Sequence, residues 1–252
     1  MKKHTINIGT SGWSYKHWRG TFYPENLKVK DQFLYYQKMF NTVEINNTFY
    51  KMPADATLQN WENQVSDDFV YVIKANRFIT HMKKLHNPED SLLIFMEKLK
   101  YLEKKLGPIL FQLPPYLELD LQLLEDFLMA LSNKNRYVFE FRHASWYVPE
   151  LYQLLEKYNC AFCIYELAGH ISPIKITADF VYIRLHGPTA AKYQGSYSYT
   201  VLKEWADQCI QWLKTKDVFV YFDNDEKGYS AFNALSLKKL VENNLSINQN
   251  TL

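Results

Sequence analysis

The feature that most restricts this chain is an alternation. Eight short, apolar, β-rich runs are separated by longer segments with helical periodicity. The runs cover residues 5–9, 42–46, 69–74, 109–113, 137–142, 161–165, 180–186 and 218–223. Between them, residues 90–106 place Leu92, Leu93, Phe95, Met96, Leu99 and Leu102 at helical spacing, and Gly107-Pro108 reads as the stop. Residues 119–131, 149–158, 200–214 and 230–243 follow the same pattern, with shorter versions at 31–40 and 55–65. Residues 169–178 read as short and irregular.

Strand–helix alternation of this kind within 252 residues predicts an α/β chain folded as a single (β/α)8 TIM-type barrel. One domain over 1–252 is expected, with an ordered core over about 5–245 and a short C-terminal tail. An open doubly wound sheet fits less well. Gly9-Thr-Ser-Gly12 lacks the spacing of a dinucleotide-binding turn, and no P-loop is present.

Composition excludes several classes. Apolar residues at 47% with charged residues at 22% exclude a disordered chain. A formal net charge of +2 gives no field for coating duplex nucleic acid, although a local basic pocket is compatible with it. No apolar run reaches the length of a transmembrane helix, and Met1-Lys2-Lys3-His4 leads into a β-like run without a signal-type apolar region. The expectation is a cytoplasmic protein with no membrane partner. No sequence feature specifies an oligomeric state. Cys160, Cys163 and Cys209 are an odd count, which argues against a disulfide framework. Cys160 and Cys163 lie three apart on a strand run, so they face opposite sides and make a poor redox or metal pair.

In a barrel, alternate strand residues point inward and active sites gather at the C-terminal strand ends. Parity then sorts the strand-end residues. Glu44 and Asn46 point in while Val43 and Ile45 point out. Lys74 shares a face with Val70 and Val72, and Gln112 turns in. Glu140 and Arg142 oppose Phe139 and Phe141. Arg184 shares a face with His186, and Asp223 with Tyr221. Burying charges is costly unless they are paired or used. Six polar strand ends therefore suggest either a ligand site or a self-satisfied ion-pair network. The loops after the strands are rich in rings, Trp13 and Tyr193 among them, which could stack on a base or sugar. The loop of residues 187–195, with Lys192, and the opening of the last helix around Gly228–Ser230 offer an anion site, which Asp225 and Glu226 oppose.

The motifs Gly9-Thr-Ser-Gly-Trp-Ser-Tyr15, Val43-Glu-Ile-Asn-Asn-Thr-Phe-Tyr50, Glu140-Phe-Arg-His143 with Ser145-Trp146, Tyr182-Ile-Arg-Leu-His-Gly187 and Tyr221-Phe-Asp-Asn-Asp225 occur in order along the chain. So do Phe22-Tyr-Pro24, Ile79-Thr-His81, Gln112-Leu-Pro-Pro115 and Asn233-Ala234. Together they resemble the domain of unknown function 72 (YecE-like) family over nearly the whole chain. The resemblance implies a TIM-type barrel and supplies no reaction. Two positions depart from it. Asn47 stands where Ser is expected, and Glu166 follows where an Asp is expected, one carbon longer.

The residues favour an enzyme acting on a phosphate- or carboxylate-bearing small molecule or phosphoester. Glu44, Glu140, His186 and Asp223 are the candidate catalytic residues. Asn46, Lys74, Gln112, Arg142, Arg184, Trp13 and Tyr193 are the candidate substrate-binding residues. No cofactor is required by the sequence. A divalent metal is possible on the four catalytic candidates, yet Lys74, Arg142 and Arg184 at the same strand ends disfavour one, and no metal ligand is assigned. Three other readings stand beside this one. They are metal-assisted hydrolysis of a nucleic-acid backbone, a non-catalytic nucleotide or single-strand binder, and a glycosidase pairing Glu44 with Glu140.

Overall fold

The structure is a computed structural model that describes residues 3–249. It is a (β/α)8 barrel. Along the chain run β1 (Ile6–Thr10), α1 (Gln32–Gln37), β2 (Thr42–Ile45), α2 (Asp55–Asn63), β3 (Val70–Lys74), α3 (Glu89–Leu99), β4 (Leu106–Gln112), α4 (Leu121–Met129), β5 (Tyr137–Glu140), α5 (Pro149–Lys157), β6 (Ala161–Leu167), β7 (His170–Ile171), β8 (Phe180–Leu185), α6 (Tyr199–Leu213), β9 (Asp217–Phe222) and α7 (Tyr229–Gln249). The strand order is β1-β9-β8-β6-β5-β4-β3-β2, with β7 paired to β6. Cα packing resolves two compact units, and the division falls inside β2, after Val43, and inside β6, after Cys163.

The first unit holds β1, α1, the start of β2, the end of β6, β7, β8, α6, β9 and α7. β1 and β8 both pair with β9 in parallel, with Thr10 and Leu185 each opposite Phe222, and Arg184 opposite Tyr221. Helix α6 forms because Leu202, Trp205, Ala206, Cys209 and Ile210 recur on one buried face, while the Ser198 hydroxyl accepts the Val201 N–H at its start. Helix α7 packs on α6 and over β1 and β9. It runs to Gln249, past the expected end at 243 and into the expected tail. Residues 250–252 of that tail lie outside the described residues, as does the start of the Met1-Lys2-Lys3-His4 segment.

The second unit is built on β3, β4, β5 and the start of β6 in parallel pairing. One face of β4–β6 is a ladder of rings. Phe111 stacks on Phe139 at 5.3 Å and Phe139 on Phe141 at 6.2 Å, and Phe162 follows Phe141 at 5.9 Å. Helix α4 closes on this face through Phe127, edge-on to Phe111 at 5.1 Å. Strand parity then commits the opposite face to Gln112 and Glu140, which are direct partners in the β4–β5 register.

Two local expectations are corrected. Gly107-Pro108 does not stop a helix. Helix α3 ends at Leu99, a 3-10 turn over Lys100–Lys105 follows, and Gly107 and Pro108 lie within β4. Tyr71 pairs with Leu106 but Ile73 with Ile109, so β4 carries one extra residue there, a β-bulge. A bulge tolerates proline's missing N–H, and a Cβ on Gly107 would come within 2.5 Å of Val70 Cγ1. After β6, the expected irregular segment includes the short strand β7. Its turn places Ala168 and Gly169 at positive φ, 54° and 76°. No helix lies between β6 and β8 among the described residues. In place of a helix, the Thr177 hydroxyl accepts the Phe162 N–H at 2.8 Å and donates to the Cys160 carbonyl at 2.7 Å. No described helix is long and apolar enough to cross a membrane.

Candidate functional site

In the first unit, β8 and β9 end side by side. The register that places Arg184 opposite Tyr221 brings His186 and Asp223 together two residues further on. His186 Nδ1 lies 3.0 Å from Asp223 Oδ2, and Arg184 Nη2 lies 3.6 Å from the same oxygen. Arg184 and His186 are each 1% exposed, so the carboxylate meets both in a largely dry setting. Tyr193, half exposed, stands edge-on to the His186 ring at 5.5 Å. A proton on Nδ1, donated to Asp223, would leave Nε2 as the basic nitrogen of the ring. The structure thus brings together four of the candidate residues, Arg184, His186, Tyr193 and Asp223.

The loop that carries Tyr193 is pinned from below. Gly187, at φ 114°, sits where a Cβ would meet the Gln194 carbonyl oxygen at 2.2 Å, so only glycine fits. Its N–H donates to the Tyr197 hydroxyl at 3.0 Å, and Tyr197 in turn hydrogen-bonds Glu166. Asn224 Nδ2 donates to the Gly195 carbonyl and to Asn233 Oδ1, both at 2.8 Å, and Tyr197 N donates to Asn233 Oδ1 at 3.1 Å. Glu166 does not extend the Arg184–His186 face. The His186 N–H donates to the Glu166 carbonyl, which aligns Glu166 with Leu185 on the outward face. There burial raises its carboxyl above the usual range, opposed in part by the Tyr197 hydroxyl. Tyr197, Asn224 and Asn233 escaped the sequence reading of the site because their contribution is indirect. They shape a loop and do not sit on an inward strand position.

Trp13 lies in the loop after β1, its ring 4.5 Å from Phe33, and its carbonyl accepts the Tyr23 hydroxyl at 2.5 Å. At the opening of α7, the Asp225 carboxylate accepts from Ser230 Oγ at 2.7 Å and from Trp18 Nε1 at 2.6 Å, and faces His17 Nε2 at 2.8 Å. The chain's own carboxylate therefore stands at the helix start where an external anion was considered. Lys192 is exposed.

In the second unit, Glu140 is fully buried and paired with Arg142 through both Nε and Nη2 of the guanidinium, while Cys163 Sγ approaches the other carboxylate oxygen at 3.7 Å. The two residues are i and i+2 on one strand face, so the pairing is set by β5 itself and its exit. Gln112 is half-buried beside Glu140 in register, with Nε2 donating to the Leu113 carbonyl at 3.3 Å. Lys74 Nζ lies 4.6 Å from the Phe49 ring centroid. Phe49 is edge-on to His81 at 4.9 Å, and burial, then Lys74 and Arg77, hold His81 below the usual histidine range. Glu44 is fully buried on β2. Asn46, just after β2, keeps a buried Oδ1 that accepts no hydrogen bond among the described residues.

Among the described residues, no group of three or more His, Cys, Asp or Glu side chains is arranged to hold a metal. Cys160, Cys163 and Cys209 are buried and form no disulfide among the described residues.

A family model described as "Protein of unknown function DUF72" matches residues 7–251. The chain belongs to the DUF72 family. It is 29% identical over 143 residues to the UPF0759 protein YecE of Escherichia coli (strain K12), covering 56% of this chain and 50% of YecE. That match spans about half the length of YecE. It is 25% identical over 278 aligned positions to the UPF0759 protein YunF of Bacillus subtilis (strain 168), covering 94% and 95% of the two chains. The crystal structure of a DUF72 family protein from Thermotoga maritima MSB8 superimposes with a TM-score of 0.86 at 28% identity, over 95% of this chain and all of that one. The fold extends beyond DUF72. A D-psicose 3-epimerase from Clostridium cellulolyticum H10 matches with a TM-score of 0.55 at 8% identity, over 96% of this chain and 98% of that one.

Proposed function

We propose that this DUF72 protein is an enzyme acting on an anionic small molecule, phosphate- or carboxylate-bearing, or on a phosphoester. The observation that carries the reading is the pairing of buried Arg184 and His186 with the partly exposed Asp223 at the ends of β8 and β9. Arg184 supplies a planar, permanently charged fork suited to a carboxylate or phosphate. His186 moves the proton through Nε2, and Asp223 holds the ring in that tautomer. Asp223 is thereby a positioning residue. Tyr193 covers the imidazole edge and limits water there.

The second unit's cluster enters the reading by itself. Glu140 orients the Arg142 guanidinium for a second anion contact, and Lys74, Gln112, Asn46 and Glu44 supply polar groups at the ends of neighbouring strands. Trp13 is kept as a binding ring of the first unit.

The test is a thermal-melt panel on the intact protein, using inorganic phosphate, succinate, a sugar phosphate, a nucleoside monophosphate and divalent metals. A ligand that binds only the folded state raises the melting point. The expected result is an anion-dependent rise that Arg184→Gln removes and His186→Gln retains. With a turned-over anion in hand, His186→Gln should abolish the reaction. A rise with divalent metals alone would replace this reading with metal-assisted hydrolysis. A flat response to every anion overturns it.

A further inference from the structure

Three consecutive strand ends of the second unit carry a surface that, Lys74 apart, the proposed chemistry does not use. After β2 comes Tyr50, after β3 the segment Arg77–Pro88, and after β4 Tyr116. Tyr50 is 70% exposed, Tyr116 61% and Phe78 47%. Large rings left this open gain nothing for the core, yet each has a cation at its face. Arg77 lies 6.0 Å from the Tyr50 centroid, Lys83 6.0 Å from Phe78 and Lys84 5.3 Å from Tyr116. Phe49 continues the row inward, edge-on to Tyr50 at 5.1 Å and beneath Lys74.

The charge is one-sided. Residues 74–88 contain Lys74, Arg77, Lys83 and Lys84, two histidines and no carboxylate. The acid nearest Tyr116 in sequence, Glu118, lies 4.0 Å from His143.

The backbone that presents these groups is held in conformations rarely adopted without cause. Phe78–Met82 form one turn of π-helix, and Lys84, Leu85 and Asn87 have φ values of 49°, 71° and 43°. Hydrogen bonds fix the shape, among them Lys83 N to the Phe78 carbonyl, Leu85 N to the Ile79 carbonyl, His86 N to the Lys83 carbonyl and Lys83 Nζ to the Asn87 carbonyl. Leu85 and Ile79 are buried as anchors, so the strained turn is over-determined from beneath and its polar side faces out. A loop ordered in advance loses less entropy when it binds.

We propose that this surface binds single-stranded nucleic acid, with bases stacked on Tyr50, Phe78 and Tyr116 and phosphates held by Arg77, Lys83 and Lys84. Exposed rings select unstacked bases over a duplex, whose bases are already stacked. Cations seated beside the rings place phosphate contacts within a nucleotide's reach of each stack. The inference uses none of the Arg184, His186 or Asp223 groups, and its test needs no turnover.

The experiment is fluorescence anisotropy with the intact protein and a labelled single strand of about 12 nucleotides, within the span typical of stacking grooves. A duplex of the same length and phosphatidylserine vesicles are run beside it, in about 50 mM salt. Saturable binding that favours the single strand over the duplex is expected. Tyr50→Ala and Tyr116→Ala, both at exposed positions, should each weaken it by roughly tenfold. Arg77→Gln together with Lys84→Gln should lower the slope of log affinity against log salt by about 1.4, near 0.7 for each phosphate no longer neutralised. Four results overturn the proposal: no saturable single-strand binding, tighter binding to the duplex, ring variants that bind like the wild type, or a preference for the vesicles.

Discussion

His186 and Arg184 share one oxygen, Oδ2 of Asp223, at 3.0 and 3.6 Å. The carboxylate therefore has two tasks, a counter-charge for a buried guanidinium and an acceptor that sets an imidazole tautomer. Separate substitutions distinguish them. Asp223→Ala removes a counter-charge from Arg184 inside the fold and should cost about 3 kcal/mol, at the low end for breaking a buried pair, because Asp223 is partly exposed. Asp223→Asn keeps the shape and should cost less, but it no longer fixes the proton on Nδ1. Urea denaturation measures the first effect, and nitrogen NMR of the His186 ring reads the second. Equal stability for both variants and the wild type would mean that the carboxylate does not hold Arg184.

Glu166 gives a pH-dependent prediction. Its Oε2 is buried without a hydrogen-bond partner among the described residues, and burial raises its carboxyl above the ordinary range. The folded state thus holds this proton more tightly than the unfolded chain does. That stabilisation is fully present below the unfolded value and is lost as pH rises through the folded one, so at neutral pH Glu166 is a net cost. Glu166→Gln should melt no lower than the wild type at pH 7.5, and the gap between them should close as the pH falls. Tyr197 can still donate to the Gln carbonyl. A variant that melts well below the wild type at pH 7.5 would show that the carboxylate is needed in its charged form.

Gly187 tests the loop over His186. At φ 114°, with the Gln194 carbonyl oxygen 2.2 Å from where a Cβ would stand, Gly187→Ala must move backbone against backbone. A strained φ of this kind costs on the order of 1–3 kcal/mol before any clash is counted. The variant should lose at least that in denaturation and should also release Tyr193 from the His186 edge, seen as faster proteolysis within 187–199. Wild-type stability together with wild-type cleavage would show that the loop accommodates a methyl group and is not pinned at Gly187.

The eight parallel strands were legible because each is a largely buried apolar run, and burial leaves such a run few alternatives, whereas the exposed pair His170–Ile171 of β7 carries no such signal. Inward parity was legible for the same reason: once Phe111, Phe139, Phe141 and Phe162 take one face, Gln112 and Glu140 have only the other. Partner choice was not legible. Periodicity gives a side chain's direction but not its neighbour's reach, so the sequence could not tell that Arg142 turns back onto Glu140 or that Arg184 meets Asp223. Gly107-Pro108 misled because helix ends and strand bulges use the same residues. The left-handed residues at Lys84, Leu85 and Asn87 left no compositional trace, since only Asn87 is of a type that favours that conformation.

The cysteines give the last prediction. Cys160 and Cys163 are spaced like a redox pair, yet both are buried, Cys160 just before β6 and Cys163 within it, and each has its own contact. Cys163 Sγ lies 3.7 Å from Glu140 Oε2, and Cys160 Sγ lies 3.5 Å from the Tyr158 carbonyl. Burial pushes the Cys160 and Cys209 thiols up to about 12, so at pH 8 neither offers appreciable thiolate, the form that attacks disulfides. The native protein should therefore react with an aromatic disulfide reagent at pH 8 only as fast as it opens, and all three thiols should titrate at once in denaturant. Oxidised glutathione should leave the native protein free of an intramolecular disulfide. Prompt reaction of one thiol in the folded protein would contradict the burial, and a Cys160–Cys163 disulfide would contradict the separate buried contacts of the two thiols.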